Sequence, residues 1–185
     1  MQYLCCTREL TITIEPGNDD QWWVDSLYPV HPDMFSHSSI IMTLGKGVTY
    51  STSYKQNLNT KSSTEAELVA IDDAMGQVLW TRHFLAAQGV PVPTNTIFQD
   101  KKSKILLAKN GSTSSGKRTR HLNVQYYFVT DKIKKGEVRI ACCPMKEILG
   151  DFFTKPLQGR IFVKMHEKIL NLPSNQHRSL LQTEK

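Results

Sequence analysis

Ser62-Ser63-Thr64-Glu65-Ala66-Glu67-Leu68-Val69-Ala70-Ile71 is the stretch on which the architecture turns. Ser62 followed three residues later by Glu65 has the form of a capping box, so a helix is expected to start here. Leu68, Ile71, Met75, Val78 and Leu79 then recur at helical spacing, and Gly89 and Pro91 stop the pattern. Glu65 and Glu67 stand two residues apart, which on a helix turns them about 200° from each other. They cannot serve one site together. Glu65 fits the cap, which leaves Glu67, just before the apolar run, free for another task.

Upstream of this helix the pattern changes to period two. Leu10 to Ile14 alternates as a strand does, and Pro16-Gly17-Asn18-Asp19-Asp20 reads as a turn cluster. Gln21 to Ser26, with Trp22, Trp23 and Val24, reads as a strand ending near Asp25. Ser39 to Leu44 and Val48 to Ser53 are two more strands, joined by a Gly45-Lys46-Gly47 hairpin turn. Downstream, Thr96 to Gln99 is a short strand and Lys102 to Lys109 a helix stopped by Asn110-Gly111. Gly111 to Gly116 is a loop by composition. Leu122, Tyr126, Val129 and Ile133 mark another helix, and Val138, Ile140 and Cys142 alternate along a last strand. Lys146 to Thr154 reads as a short helix halted by Pro156. Ile161, Met165, Ile169 and Leu172 trace a terminal amphipathic helix, and a polar tail follows Pro173. Three strands, a helix, a strand, helices and a strand predict an α/β fold. Its mixed five-stranded sheet combines an antiparallel meander with parallel strands, and helices flank it.

Four acids stand out against this outline. Asp25 and Asp100 close apolar strand-like runs, Glu67 lies on the patterned helix, and Asp151 lies on the short one. They are far apart in sequence, and strand ends and helices are the means by which a fold gathers carboxylates. Such groups suit hard divalent cations, and two cations can clamp a phosphodiester during hydrolysis.

The chain has 185 residues, 39% of them hydrophobic, and a formal net charge of +6. That is room for one domain with appendages and a true core. A moderate positive charge is compatible with a polyanionic partner. The basic run Lys117-Arg118-Thr119-Arg120-His121, beside a Gly/Ser-rich loop, is the best nucleic-acid contact. Lys101, Lys102, Lys104 and Lys109 would add to it if they share a face. Such contacts are salt-dependent and blind to sequence. The cysteines form two adjacent pairs, Cys5-Cys6 and Cys142-Cys143, without zinc-ligand spacing. They read as reduced thiols of an intracellular protein, one of the second pair pointing inward. No apolar run is long enough for a transmembrane helix, and the N-terminus is not of signal-peptide form, so neither membrane insertion nor secretion is expected.

Three motifs in this order carry a resemblance. Ser62-Ser-Thr-Glu-Ala-Glu67, Arg120-His-Leu-Asn-Val124 and Asp151-Phe-Phe-Thr-Lys-Pro-Leu157 resemble the ribonuclease H region of copia-type LTR retrotransposon Pol polyproteins, as does Val30-His-Pro-Asp-Met-Phe-Ser-His37. The likeness runs from about Met1 to Leu172. It implies a ribonuclease H-like domain over residues 20–157 and a remnant of the polymerase-connection region over residues 1–19. A C-terminal helix over 158–172 and a disordered tail over 173–185 complete the division.

The resemblance also implies a chemistry. Asp25, Glu67, Asp100 and Asp151 would hold two Mg²⁺ (or Mn²⁺) ions about 4 Å apart, with Asp25 shared between them. The expected reaction is endonucleolytic hydrolysis of the RNA strand of an RNA–DNA hybrid, leaving 5′-phosphate and 3′-hydroxyl ends. Lys117, Arg118, Arg120, His121, Lys101 and Lys102 would contact nucleic acid, and His121 is not assigned as a proton shuttle. A reverse transcriptase domain of the parent polyprotein is the implied protein partner, in a cytoplasmic particle or the nucleus. The chain departs from the family in having Asp100-Lys101-Lys102 where Asp-Asn-Gln is usual, and in lacking a glycine around Ser38-Ser39-Ile40. A catalytically inactive nucleic-acid-binding module, or a non-functional transposon relic, is the alternative.

Overall fold

The computed structural model describes residues 7, 9–99, 120–144 and 147–172, without the side chains of 18, 19 and 120–123. Strand β1 spans Glu15–Leu27, β2 His37–Lys46 and β3 Val48–Lys55. Helix α1 spans Ser63–Ala87 and β4 Asn95–Gln99. Helix α2 (Arg120–Lys134), strand β5 (Val138–Cys142), helix α3 (Asp151–Thr154) and helix α4 (Gly159–Leu170) follow.

Among the described residues the sheet has five strands in the order β3-β2-β1-β4-β5. β1 pairs antiparallel with β2, and β2 with β3; β4 runs parallel to β1, and β5 to β4. This is the expected mixed sheet. Alternation along β1 sends its two tryptophans to opposite faces. Trp22 and Val24 join Ile40, Met42, Ile97 and Ile140 under Leu68, Ile71, Met75 and Val78 of α1 and Val129 of α2. Trp23 joins Ile41 and Val48 under Leu149 and the α4 residues Met165 and Ile169. Both faces of the sheet are therefore covered, and β1 lies at its centre.

Helix α1 begins as its cap foretells. The Glu65 backbone N–H donates to Ser62 Oγ at 3.2 Å, and the Glu65 carboxylate accepts from the Lys61 backbone N–H at 2.7 Å. Ser62→Ala should cost about 1 kcal/mol in a urea melt; an unchanged midpoint would show that packing alone starts this helix.

Several expectations change. Leu10 to Ile14 is not a strand: Ile12 and Ile14 are half exposed, and Thr13 instead bonds the end of α4, its N–H donating to the Leu170 carbonyl. Pro16 to Asp20 is not a free turn. It belongs to β1 as an irregularity, the pairing jumping from Pro16–Gly45 to Asp20–Leu44. Gly45 makes this close approach possible: it has φ +115°, and an added Cβ would lie 2.3 Å from the Glu15 carbonyl oxygen.

The helix expected from Lys146 shrinks to Asp151–Thr154, because Ile148 and Leu149 are drawn into the core ahead of it. α4 ends at Leu170, where Asn171 turns left-handed at φ 50°, and Ile161 faces solvent. Neither Cys142 nor Cys143 is fully buried; both are free thiols, and the end of β5 has passed beyond the core. The helix expected over Lys102–Lys109, the loop from Gly111, and the tail after Pro173 lie outside the described residues. No helix among the described residues is long and apolar enough to cross a membrane.

Candidate active site

The carboxyl end of β1 is the place where distant segments meet. Asp25 lies two residues after Trp23, on the face that α3 covers, and is 6% exposed. Asp151 opens α3 and is equally buried. Their approach depends on Gly150: a Cβ there would stand 2.7 Å from Asp25 Cβ and 3.2 Å from its backbone nitrogen. Only hydrogen at that position lets the short helix sit so close to the strand.

Thr154 and Lys155 close the arrangement. The Thr154 hydroxyl donates to Asp25 Oδ2. The Lys155 ammonium lies 2.6 Å from Asp151 Oδ1 and 3.9 Å from Asp25 Oδ2. Burial pushes the Asp25 carboxyl up to about 6, opposed by the Thr154 bond and the Lys155 charge, while the neighbouring Asp151 adds to the rise. Desolvation therefore outweighs both favourable contacts. Burial lowers the Lys155 pKa, but the carboxylates of Asp151, Asp25 and Glu67 outweigh it and hold the ammonium above its usual range. One cation thus feels three of the four expected acids.

Glu67 arrives from the other face. On α1 it is half-buried, and Gln99 Nε2 donates both to its carboxylate and to the Val24 carbonyl, each at 3.3 Å. Gln99 itself is fully buried at the end of β4. It ties the acid on the helix to the backbone beside Asp25. Glu65 turns away to the cap, as their angular separation requires.

Asp100, the fourth expected acid, lies outside the described residues, as do Lys101, Lys102, Lys117 and Arg118. Arg120 and His121 fall in the first turn of α2, with side chains not described. The geometry thus brings Asp25 and Asp151 together under Lys155 and ties Glu67, through Gln99, to the backbone beside Asp25.

Sequence reading passed over four residues that build the site: Gly150, Thr154, Lys155 and Gln99. Thr154 and Lys155 belong to the Asp151–Leu157 motif, but the Asp25 carboxylate that both reach lies in another segment. The His31–His37 stretch also gains a role. The two imidazoles meet at 3.1 Å, His37 Nε2 meets Ser53 Oγ at 2.7 Å, and Ser53 donates to the Phe153 carbonyl at 3.3 Å. This chain of bonds ties α3 to β3 from outside.

No metal-ligating group of three or more His, Cys, Asp or Glu side chains is already formed among the described residues. The donor chemistry nevertheless fits a hard divalent cation. Two buried carboxylates face each other, a third is anchored beside them, and the positive charge between them comes from Lys155.

No protein-family model matches the chain. Over 178 residues it is 26% identical to the retrovirus-related Pol polyprotein from transposon RE2 of Arabidopsis thaliana, covering 91% of this chain and 12% of that protein. The Pol polyprotein from transposon TNT 1-94 of Nicotiana tabacum is 24% identical over 140 residues, covering 76% and 10%. The chain therefore spans about an eighth or less of the length of these homologues, which are of the kind its motifs resemble. Among solved structures, LC11-RNase H1, isolated from compost, superposes with a TM-score of 0.51 at 10% identity, covering 71% of this chain and 88% of that one. The N-terminal RNase H domain of a Mycobacterium tuberculosis protein also gives 0.51, at 8% identity, covering 80% and 96%. The fold is ribonuclease H-like.

Proposed function

We propose that this chain is the ribonuclease H module of a copia-type retrotransposon Pol polyprotein. In this reading it hydrolyses the RNA strand of RNA–DNA hybrids during reverse transcription, with Mg²⁺ or Mn²⁺. The observation that carries the reading is the pairing of the buried carboxylates of Asp25 and Asp151 at the end of the central strand, with Glu67 tied through Gln99 to the backbone beside Asp25. Sequence kinship to Pol polyproteins supports it independently.

The ligands would be Asp25, Glu67 and Asp151, with Asp100 completing the set. When bound, the two ions would acidify the attacking water and stabilise the departing 3′-oxygen. This chain's residues do the placing. Thr154 fixes one oxygen of Asp25, Gln99 fixes Glu67, and Gly150 sets the distance between strand and helix. No side chain needs to act as nucleophile. Lys117, Arg118, Arg120, His121, Lys101 and Lys102 would hold phosphates, and a hybrid would be recognised by its shape and its 2′-hydroxyls. The division at residues 19, 157 and 172, the reverse transcriptase partner and an intracellular site of action belong to the same proposal.

The test is incubation of the purified chain with labelled hybrid, in Mg²⁺ and in EDTA, beside Glu67→Gln. Cleavage in Mg²⁺ only, reduced about a hundredfold or more in the variant, is the expected result. Salt-sensitive binding without cleavage would replace the nuclease by an inactive hybrid-binding module. That second reading is favoured by Lys155, which closes over the carboxylates.

A further inference from the structure

We propose that Lys155 is the resident counter-ion of this site, and that a divalent cation is seated between Asp25 and Asp151 by displacing it. This rests on the reading of those two acids as cation ligands. The side chains of Asp25 and Asp151 are 9% and 8% exposed. Two ionised carboxylates so far from water and so near each other repel, and a positive charge is needed to keep them there. Lys155 supplies it at 2.6 Å and 3.9 Å.

The same geometry lets the lysine leave. Its side chain is 34% exposed, so the ammonium has a route to water that the acids lack. It stands just past the end of α3, where its backbone is already extended at φ −121°, ψ 143°. Its N–H still donates to the Asp151 carbonyl at 2.9 Å, which anchors the main chain while the four-carbon stem moves. An ammonium is a single, flexible point charge. A dication carries twice that charge and accepts several carboxylate oxygens at once. Cation binding is therefore an exchange, and its affinity is reduced by the ion pair it breaks. Without metal, the lysine keeps α3 docked on β1.

Lys155→Met keeps the stem and removes the charge. Direct Mn²⁺ titration by calorimetry, without nucleic acid, should give a Kd about tenfold lower than in the parent chain. In EDTA the variant should melt below the parent, and millimolar Mg²⁺ should erase the difference. Lys155→Arg, which retains the charge, should bind Mn²⁺ as weakly as the parent. Should Lys155→Met fail to fold, the parent chain still answers. The Lys155 ¹³Cε resonance should shift on Mg²⁺ addition toward the position of an exposed lysine. Parent and Lys155→Met binding Mn²⁺ equally, or a Lys155 resonance unmoved at saturating Mg²⁺, would overturn the exchange and leave the proposed nuclease standing. If neither protein binds Mn²⁺, and Asp25→Asn alters nothing in the titration, both ideas fall together.

Discussion

Asp25→Asn is expected to raise the melting temperature in EDTA while cutting Mg²⁺-dependent cleavage about a thousandfold. The two effects have one cause. The Asp25 carboxyl moves from its ordinary 3.8 to about 6 because it is buried. Between those values the folded chain keeps a proton that the unfolded chain has released. Stability therefore falls as pH rises through this window, and the loss is complete above about pH 6. Asparagine carries no charge to desolvate, so at pH 7.5 the variant should gain roughly 1–3 kcal/mol, about 1.4 per pKa unit.

Cleavage moves the other way. If Asp25 is a cation ligand as proposed, removing it forfeits several kcal/mol in the transition state, and about 4 kcal/mol is a thousandfold in rate. Melting curves at pH 4 and pH 7.5 read the first effect, with the gain shrinking toward zero at the acidic end. A variant that melts below its parent at pH 7.5 in EDTA would mean that the Thr154 and Lys155 contacts outweigh burial.

Gly150→Ala is expected to do comparable damage with a single methyl group. The backbone at Gly150 is ordinary helical, φ −54° and ψ −33°, so alanine meets no conformational penalty. The penalty is steric. The new Cβ would press on Asp25 Cβ at 2.7 Å, a separation that must open. Overpacking of this kind costs about 1–3 kcal/mol. Because α3 carries Asp151 and Thr154 and is followed directly by Lys155, pushing it off the strand displaces three site groups at once. A shift of about 1 Å in such groups costs on the order of a hundredfold in rate. Thermal melts and cleavage assays on the same preparation check both numbers. Parental stability and rate together would show that α3 can slide without consequence.

The sheet was legible because its signals are local. Trp22-Trp23-Val24 alternates between two cores, Ser62 caps its own helix, and Gly45-Lys46-Gly47 makes its own turn. Leu10–Ile14 alternates just as well and forms no strand. Alternation says that a segment can pair, not that a neighbour is available for it. The Pro16–Asp20 cluster misled in the opposite sense, since turn-forming residues also suit an irregular strand.

Asp25 and Asp151 meet and Glu67 is tied beside them through Gln99, but what joins them is not legible in the sequence. Thr-Lys-Pro at 154–156 reads as the end of a helix, and Gly150 as one more residue within it. Their meaning lies in Asp25, more than a hundred residues earlier, and no spacing rule reports a contact of that range. Gln99 reads in the sequence only as a strand residue, whereas its amide bonds both the Val24 carbonyl and Glu67.

The last structural feature of the site is also among the last parts of the domain to be synthesised. Strands β1 to β5 are complete at Cys142, whereas the short helix bearing Asp151 follows them. A chain halted before that point has the strand sequences and Asp25 but lacks the helix that faces Asp25 and the residues Met165 and Ile169 that cover one side of the sheet. Under the proposed nuclease reading, Asp151 would be the last of Asp25, Glu67 and Asp151 to be translated. On that reading, chains ended ahead of Gly150 lack Asp151 and should fail to cleave a hybrid.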